Sequence, residues 1–345
     1  MKLRVAILGA AFGGIAMSGV AHSQTIVVAT YGGTWGKSIE ECIMQPFSKQ
    51  TGITVTPEPG VSTVTRSKLE QQKANPVIDV AWIDGGISEL AMGDGTIGTI
   101  DPAKMPNVAN TLDQAVYKRD DGSIYALSTG FYAIGIAYNT EEVKQTPTSW
   151  HDLWKAEYEN KVTIPSVVNA GGIPVMLTIN KVEGGTLDNV KPGLDKLKTL
   201  KVANYYDSSG AGSSSFQSGE VIIGAHYATA AWSLADQGLP IVYAVPKEGA
   251  PSSDIRVHIV KGTKHQDAAE KFVNYAAGKD ASGCLAERLY VGPPNKDVVL
   301  SEKAKARMPW GPTGSIANLS LFDWQKVNAK REQLNELWNK EVVGN

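Results

Sequence analysis

The chain has 345 residues, and its 33 Lys and Arg nearly balance 35 Asp and Glu, leaving a formal net charge of −2 at neutral pH. So even a balance gives no electrostatic case for nucleic acid as a partner. A composition 42% hydrophobic, with 35 Gly and eight Trp, is that of a globular protein and argues against a disordered or fibrous one.

The chain opens on the basic start Met-Lys-Leu-Arg, followed by the apolar run from Val5 to Val20 and the small residues of Ala21-His22-Ser23. This is the layout of a cleaved export signal, residues 1–23, with Gln24 as the first mature residue. The run is short, glycine-broken and followed at once by polar sequence, which argues against an uncleaved anchor. The mature chain is therefore expected to be soluble and periplasmic. About 320 residues remain, too many for one compact core and comfortable for two lobes.

Directly after the signal, TIVVATYGGTWGKSIEECIMQPFSKQTGITV reads as a strand at Ile26–Ala29, a glycine-rich turn, a helix at Lys37–Thr51 and a strand at Ile53–Pro57. A helix at Ser62–Ala74 and a strand at Val77–Ile83, running into Asp84-Gly85-Gly86, continue the alternation. Such alternation predicts a mostly parallel sheet with helices on both faces. Tyr31 and Trp35 bracket the first turn and are suited to stacking on a ligand or clamping a cation by the ring face; packing within the lobe is the alternative. Gly32, Gly33 and Thr34 offer open backbone N–H groups to an anion or polar head. The same stretch imitates a phosphate-binding loop, but Tyr31 occupies the position where that loop requires glycine. Asp84 closes its strand at the same sheet edge, where open α/β sheets hold their ligands.

Further along, FYAIGIAY at 131–138 reads as a strand leaving the first lobe, so Thr129, Phe131 and Tyr132 fall where the chain passes between lobes. A second α/β pattern follows. Its expected pieces are a strand at Lys161–Ile164, helices at Gly172–Val182, Val190–Leu200 and Thr229–Gln237, and strands at Val221–Ala225 and Ile241–Val245. Asn169, Ala170 and Gly171 precede a helix there and offer backbone donors near a cleft. The section Ile255–Asn295 holds a strand and the amphipathic helix AAEKFVNYAAG, and Trp324–Val342 reads as one long helix.

Cys42 and Cys284 are the two cysteines. In an oxidising compartment an even count favours a disulfide between them; two buried thiols serving as small hydrophobes is the alternative. The serines around 208–218 come with no nucleophile elbow, and His151, His226, His258 and His265 lack metal-ligand spacing. No enzyme activity, cofactor or metal is expected.

These segments resemble the periplasmic solute-binding proteins of ABC importers, in the branch that includes the spermidine and putrescine binders. The resemblance runs over the whole mature chain and rests on the strand–glycine turn–helix opening and on TSWHDLWKAEYENKVTIPS, GLPIVYAVPKEGAP and KFVNYAAG…YVGPPNK. It implies a two-lobed, type II-like α/β fold with a hinge and with ligand between the lobes. Lobe 1 would comprise 24–130 and 255–297, and lobe 2 would comprise 131–254 and 298–345. It also implies a monomer that delivers its solute to an ABC membrane permease; a sensor or an exported enzyme on the same scaffold is the rival reading.

The chain departs from the polyamine binders where they build their cage. After Pro246-Lys247-Glu248-Gly249, their Trp and Asp are replaced by Ser253 and Ile255, and Val291 stands in place of an aromatic. Tyr227 occupies the position of a Trp. A protonated amine buried without a carboxylate or ring face is costly, so polyamine is expected only as the alternative ligand. Asp254 and Arg256 are the charged residues left in this stretch. An Arg256 pointing into the cleft would suit a carboxylate or phosphonate; one paired with Asp254 would not. The expected ligand is a small anionic or zwitterionic carboxylate or phosphonate, aromatic ones included.

Overall fold

The computed structural model describes residues 24–310 and 315–344, so the expected export signal lies outside the described residues. Strand β1 (Thr25–Thr30) leads into one continuous helical stretch made of α1 (Gly33–Ile39), a π turn at Glu40–Met44 and α2 (Gln45–Thr51). This stretch starts four residues before the expected Lys37. Gly33 adopts φ +62°, which only a residue without a Cβ takes cheaply, so the glycine turn becomes the first turn of the helix. The chain then forms β2 (Thr54–Pro59), α3 (Ser62–Gln71), β3 (Val80–Asp84), α4 (Ile87–Gly93), β4 (Val116–Lys118) and β5 (Ile124–Asn139).

The second series is β6 (Val162–Pro165), α5 (Gly172–Val182), α6 (Lys191–Lys198), β7 (Val202–Tyr206), α7 (Ser209–Ser218), β8 (Ile223–Tyr227), α8 (Ala228–Asp236) and β9 (Ile241–Ala244). Strand β8 sits two residues later than expected, which puts Tyr227 at its carboxyl end. The chain returns through β10 (Pro251–Ile259), α9 (Gln266–Ala276) and α10 (Lys279–Leu289). After α11 (Glu302–Ala306) and β11 (Ser320–Leu321), the expected single tail helix is broken into α12 (Trp324–Asn328), α13 (Arg331–Trp338) and a π turn. At the break, Asn328 donates to the Gly86 carbonyl at 2.7 Å and accepts from Arg331 Nε at 2.8 Å, docking the tail on the end of β3.

The sheet is mixed, in the order β2-β1-β3-β10-β5-β8-β6-β7, with β4 and β9 added on β5 and β11 on β10. Its outer ladders, β2-β1-β3 and β7-β6-β8, are parallel, and the ladders formed by β5 are antiparallel. Strand β5 is buried along all but its last residue, because its apolar sequence meets protein on both faces. It pairs with β10 as far as Ala133 and with β8 from Ile134 onward, so one strand belongs to both strand groups.

Helix α9 presents Ala268, Ala269, Phe272, Val273 and Ala276 on one buried face, the spacing of an amphipathic helix. Phe272 meets Phe47 edge-on at 5.0 Å and Trp82 at 5.7 Å, which packs α2, β3 and α9 into one core. Cys42 and Cys284 form a disulfide across 242 residues of sequence, with Cα atoms 5.6 Å apart. It ties the π turn to α10, and closing so long a loop in the unfolded chain stabilises by roughly 5 kcal/mol on the chain-entropy treatment.

Candidate ligand-binding site

Parallel strands followed by helices leave their carboxyl ends, and the first turns of the helices, facing the same way. Here both parallel groups direct those ends at one cavity of about 190 Å³. From the first group come Tyr31, Gly32 and Gly33 after β1, Gly60 to Ser62 after β2, and Asp84 at the end of β3. From the second come Asn169 and Ala170 before α5, Ser208 to Ala211 at the start of α7, and Tyr227 at the end of β8. Trp35 joins from α1, Tyr132 from β5 and Ile255 from β10.

Asp84 is the one charged side chain among the described residues that line the cavity, and it is 7% exposed. Its carboxylate accepts three hydroxyl hydrogen bonds: Tyr132 Oη to Oδ1 at 2.7 Å, Ser62 Oγ to Oδ2 at 2.5 Å and Tyr31 Oη to Oδ2 at 3.1 Å. Ser62 Oγ also accepts the Asp84 backbone N–H at 2.9 Å, locking the pair. Burial pushes the Asp84 carboxyl above its ordinary range, while the Ser62, Tyr132 and Tyr31 hydroxyls work to hold it ionised. Burial and the Asp84 charge likewise raise the Tyr31 and Tyr132 phenols well above their usual value, so both stay protonated.

Across the cavity, Tyr227 Oη donates to Asn169 Oδ1 at 2.5 Å, and that oxygen also accepts Gly171 N at 2.8 Å. The rings form a continuous wall: Tyr31 to Trp35 at 6.0 Å, Trp35 to Tyr132 at 6.3 Å and Tyr132 to Tyr227 at 5.2 Å. Each of the three phenols donates its proton to a protein acceptor and keeps its own oxygen lone pairs.

Nine candidates from the sequence meet here: Tyr31, Gly32, Gly33, Trp35, Asp84, Tyr132, Asn169, Ala170 and Tyr227. Thr34 lies beside the cavity in an adjoining one, and Gly171 stands behind Asn169. Four are placed elsewhere. Thr129 accepts from Trp82 Nε1 at 2.9 Å within the core. Phe131 alternates with Tyr132 along β5 and points to the opposite face, where it is fully buried.

Asp254 and Arg256 flank the cavity-lining Ile255 and so face away from it, which corrects the expectation that Arg256 holds an acid in the cleft. Arg256 is 2% exposed. Its Nε donates to Asp254 Oδ1 at 2.9 Å, its Nη1 donates to Glu89 Oε1 at 2.6 Å, and its guanidinium lies 3.4 Å from the centre of the Tyr117 ring. Burial works against the guanidinium charge, yet Asp254, Tyr117 and Glu89 hold it protonated well above the usual range.

Sequence reasoning missed Ser62 and the start of α7. Ser62 carried a weak signal, the first helical residue after Pro59-Gly60. Ser208 to Ala211 carried another, a strand ending in a Ser-Ser-Gly turn whose Ser208 Oγ caps Ala211 N at 3.2 Å.

Comparison with known proteins places this architecture. The family described as bacterial extracellular solute-binding protein matches residues 75–318. The chain belongs to that family. It is 29% identical over 283 residues to spermidine/putrescine-binding periplasmic protein 1 of Haemophilus influenzae, covering 80% of this chain and 76% of that protein. It is 23% identical to a gamma-aminobutyric acid-binding protein of Pseudomonas aeruginosa, covering 90% and 88%. The solved structure of an ABC transporter from Clostridium perfringens superposes with a TM-score of 0.71 at 25% identity, covering 92% of this chain and 99% of that one. The solute-binding protein thus has the two-lobed α/β fold of periplasmic binding proteins and is of the ABC transporter type. Among its described residues no helix is long and apolar enough to cross a membrane.

Proposed function

We propose that this solute-binding protein captures a small zwitterion, its protonated amine at Asp84 and its anionic group toward the first turns of α1 and α7. The observation that carries the reading is the direction of the hydroxyls. Tyr31, Tyr132 and Ser62 spend their protons on Asp84, and Tyr227 spends its proton on Asn169. What faces the cavity is therefore a carboxylate and phenol oxygens, all acceptors, together with ring faces that attract cations. Three hydroxyls occupy three of the roughly four acceptor positions of the Asp84 carboxylate, leaving one for a ligand N–H.

The helix starts at Gly32–Gly33 and Ser209–Gly210 supply the opposite character, with backbone N–H groups and the positive end of the helix dipole. Arg256 takes no part. Ligand contacts from both parallel strand groups favour the closed form, which the permease of an importer reads. The pairing of β5 with β10 as far as Ala133 and with β8 from Ile134 supports a crossing between lobes at 133–134, three residues beyond the expected boundary. A ligand shifts that balance only through its preference for the closed state.

Polyamine is the second reading, favoured by the relative that binds spermidine and putrescine. Its second ammonium would find rings and hydroxyl oxygens but no second carboxylate among the described lining residues.

Thermal unfolding of ligand-stripped protein against ω-amino acids, α-amino acids, putrescine, spermidine, alkylamines and simple carboxylates tests the reading. Ligand at a hundred times its Kd adds about 2.7 kcal/mol, a shift of roughly 4 °C for a chain of this size. Zwitterions should give the largest shift. Carboxylates stabilising as well without an amine would overturn the Asp84 assignment, and polyamines alone would support the second reading.

A further inference from the structure

Beside the Asp84 cavity lies a second one of about 320 Å³, and the two share Gly32, Gly33, Trp35, Ser209 and Gly210 as a common border. Its walls differ in kind. Thr34 stands on the α1 side, Ser213 and Gln217 on α7, Ser233 on α8 and Gln237 just past its end, with Ala230, Leu234 and Leu289 as the apolar part of the wall. No charged side chain lines it among the described residues. Its polar groups both give and accept: Gln217 Nε2 donates to Gln237 Oε1 at 3.0 Å, and Gln237 Nε2 donates to the Ser233 carbonyl at 3.1 Å. This ordering fixes the two amides in one orientation and leaves the Gln217 carbonyl oxygen as an acceptor. The Trp35 side chain borders both cavities.

Resting on the zwitterion reading of the first cavity, we propose that the second is a subsite for a neutral, hydroxyl-rich extension of the same ligand. A hydroxyl group is both donor and acceptor and matches a wall of hydroxyls and amides. A second ammonium or carboxylate would find no countercharge among these residues. An alkyl tail would pack on Leu234 and Leu289 but leave the hydroxyls and amides opposite without partners, whereas a polyol offers its C–H faces to the apolar part and its hydroxyls to the rest. The preferred solute is thus an amine carrying a polyol or sugar-like substituent.

The test measures calorimetric affinity of the full mature chain for 4-aminobutanoate, for its N-glucityl derivative and for its N-hexyl derivative. The N-glucityl compound is expected to bind at least roughly tenfold more tightly than the parent, as two or so additional neutral hydrogen bonds would give. Gln217→Leu, at an exposed position on α7, should remove most of that gain and leave parent affinity unchanged. Equal affinity for parent and N-glucityl compound, or a larger gain with N-hexyl, would overturn the subsite. If the parent fails to bind while the N-glucityl compound binds and responds to Gln217→Leu, the subsite is supported and the head-group assignment falls instead.

Discussion

Two buried carboxylates on neighbouring strands, Asp84 on β3 and Asp254 on β10, are satisfied in opposite ways. Asp254 has its countercharge inside the fold, since Arg256 binds it through Nε and reaches Glu89 through Nη1. Asp84 is held by three neutral hydroxyls, and no Lys or Arg among the described residues forms an ion pair with it. Both carboxyls are raised by burial; the Asp254 charge adds to the cost at Asp84, and the Glu89 charge adds to it at Asp254. A charge so expensive to bury is retained with neutral partners where a cation from outside is to complete it. The Asp254 region is therefore read as structure, and the Asp84 region, on the proposed function, as the receptor.

The largest expected effect breaks the structural half. Arg256→Ala leaves the buried Asp254 without its cation and the half-buried Glu89 without its guanidinium partner, so it should destabilise by about 3–5 kcal/mol in denaturant unfolding. The folded fraction should retain its ligand affinity. An Arg256→Ala protein that keeps its stability but loses ligand would reverse the roles of the two regions.

Asp84→Asn should do the opposite. Affinity for an amine ligand should fall at least roughly thirtyfold, the scale of removing one partner of a buried charge pair. Stability of the ligand-free protein should hold or rise, because a desolvated charge has gone.

Acid sharpens the comparison through a buried histidine in each region. His258, bonded to Ser88 Oγ at 2.8 Å beside the Arg256 cluster, and His226, bonded to Ser213 Oγ at 3.1 Å behind Tyr227, are both pushed down to about 3, chiefly by burial. The unfolded chain therefore binds more protons between about pH 6.5 and 3, and this contribution to stability is lost as pH falls through that window. Each histidine contributes up to about 1.4 kcal/mol per pH unit there. The raised carboxyls of Asp84 and Asp254 act in the opposite direction, so the cleanest reading is a difference. Melting of His258→Gln should depend less steeply on pH from 6.5 to 5 than that of the parent chain. An unchanged slope would mean that His258 is already charged in the fold.

Tyr132→Phe is the smallest change. It removes one donor from Asp84 and one acceptor from the cavity, and should weaken amine binding by about 1 kcal/mol, roughly fivefold in Kd.

The alternation of strands and helices, the aromatic bracket of Tyr31 and Trp35, and Asp84 at a strand end were all legible in the sequence, because turn chemistry and periodicity are local. Which face of β10 looks into the cavity was not. Every residue of PSSDIRVHI is buried, so no polar–apolar alternation marks its two faces, and Arg256 was assigned to the cleft when Ile255 occupies it. Helix α7 escaped for a related reason: SGAGSSSFQS lacks an apolar stripe, and the turn signal at its start does not say that it lines the same cavity as Asp84. The tail helix was legible in extent but not in its break, which depends on Asn328 meeting Gly86 across 242 residues.

The most direct measurement is a calorimetric cycle on ligand-stripped protein, pairing the tightest-binding zwitterion and its deaminated acid with the parent chain and Asp84→Asn. The account predicts that deamination and Asp84→Asn each weaken binding, and that their effects do not add, with a coupling of roughly 2 kcal/mol or more between ammonium and carboxylate. Strictly additive losses, or a deaminated acid that binds the parent chain as tightly as the zwitterion, would contradict it.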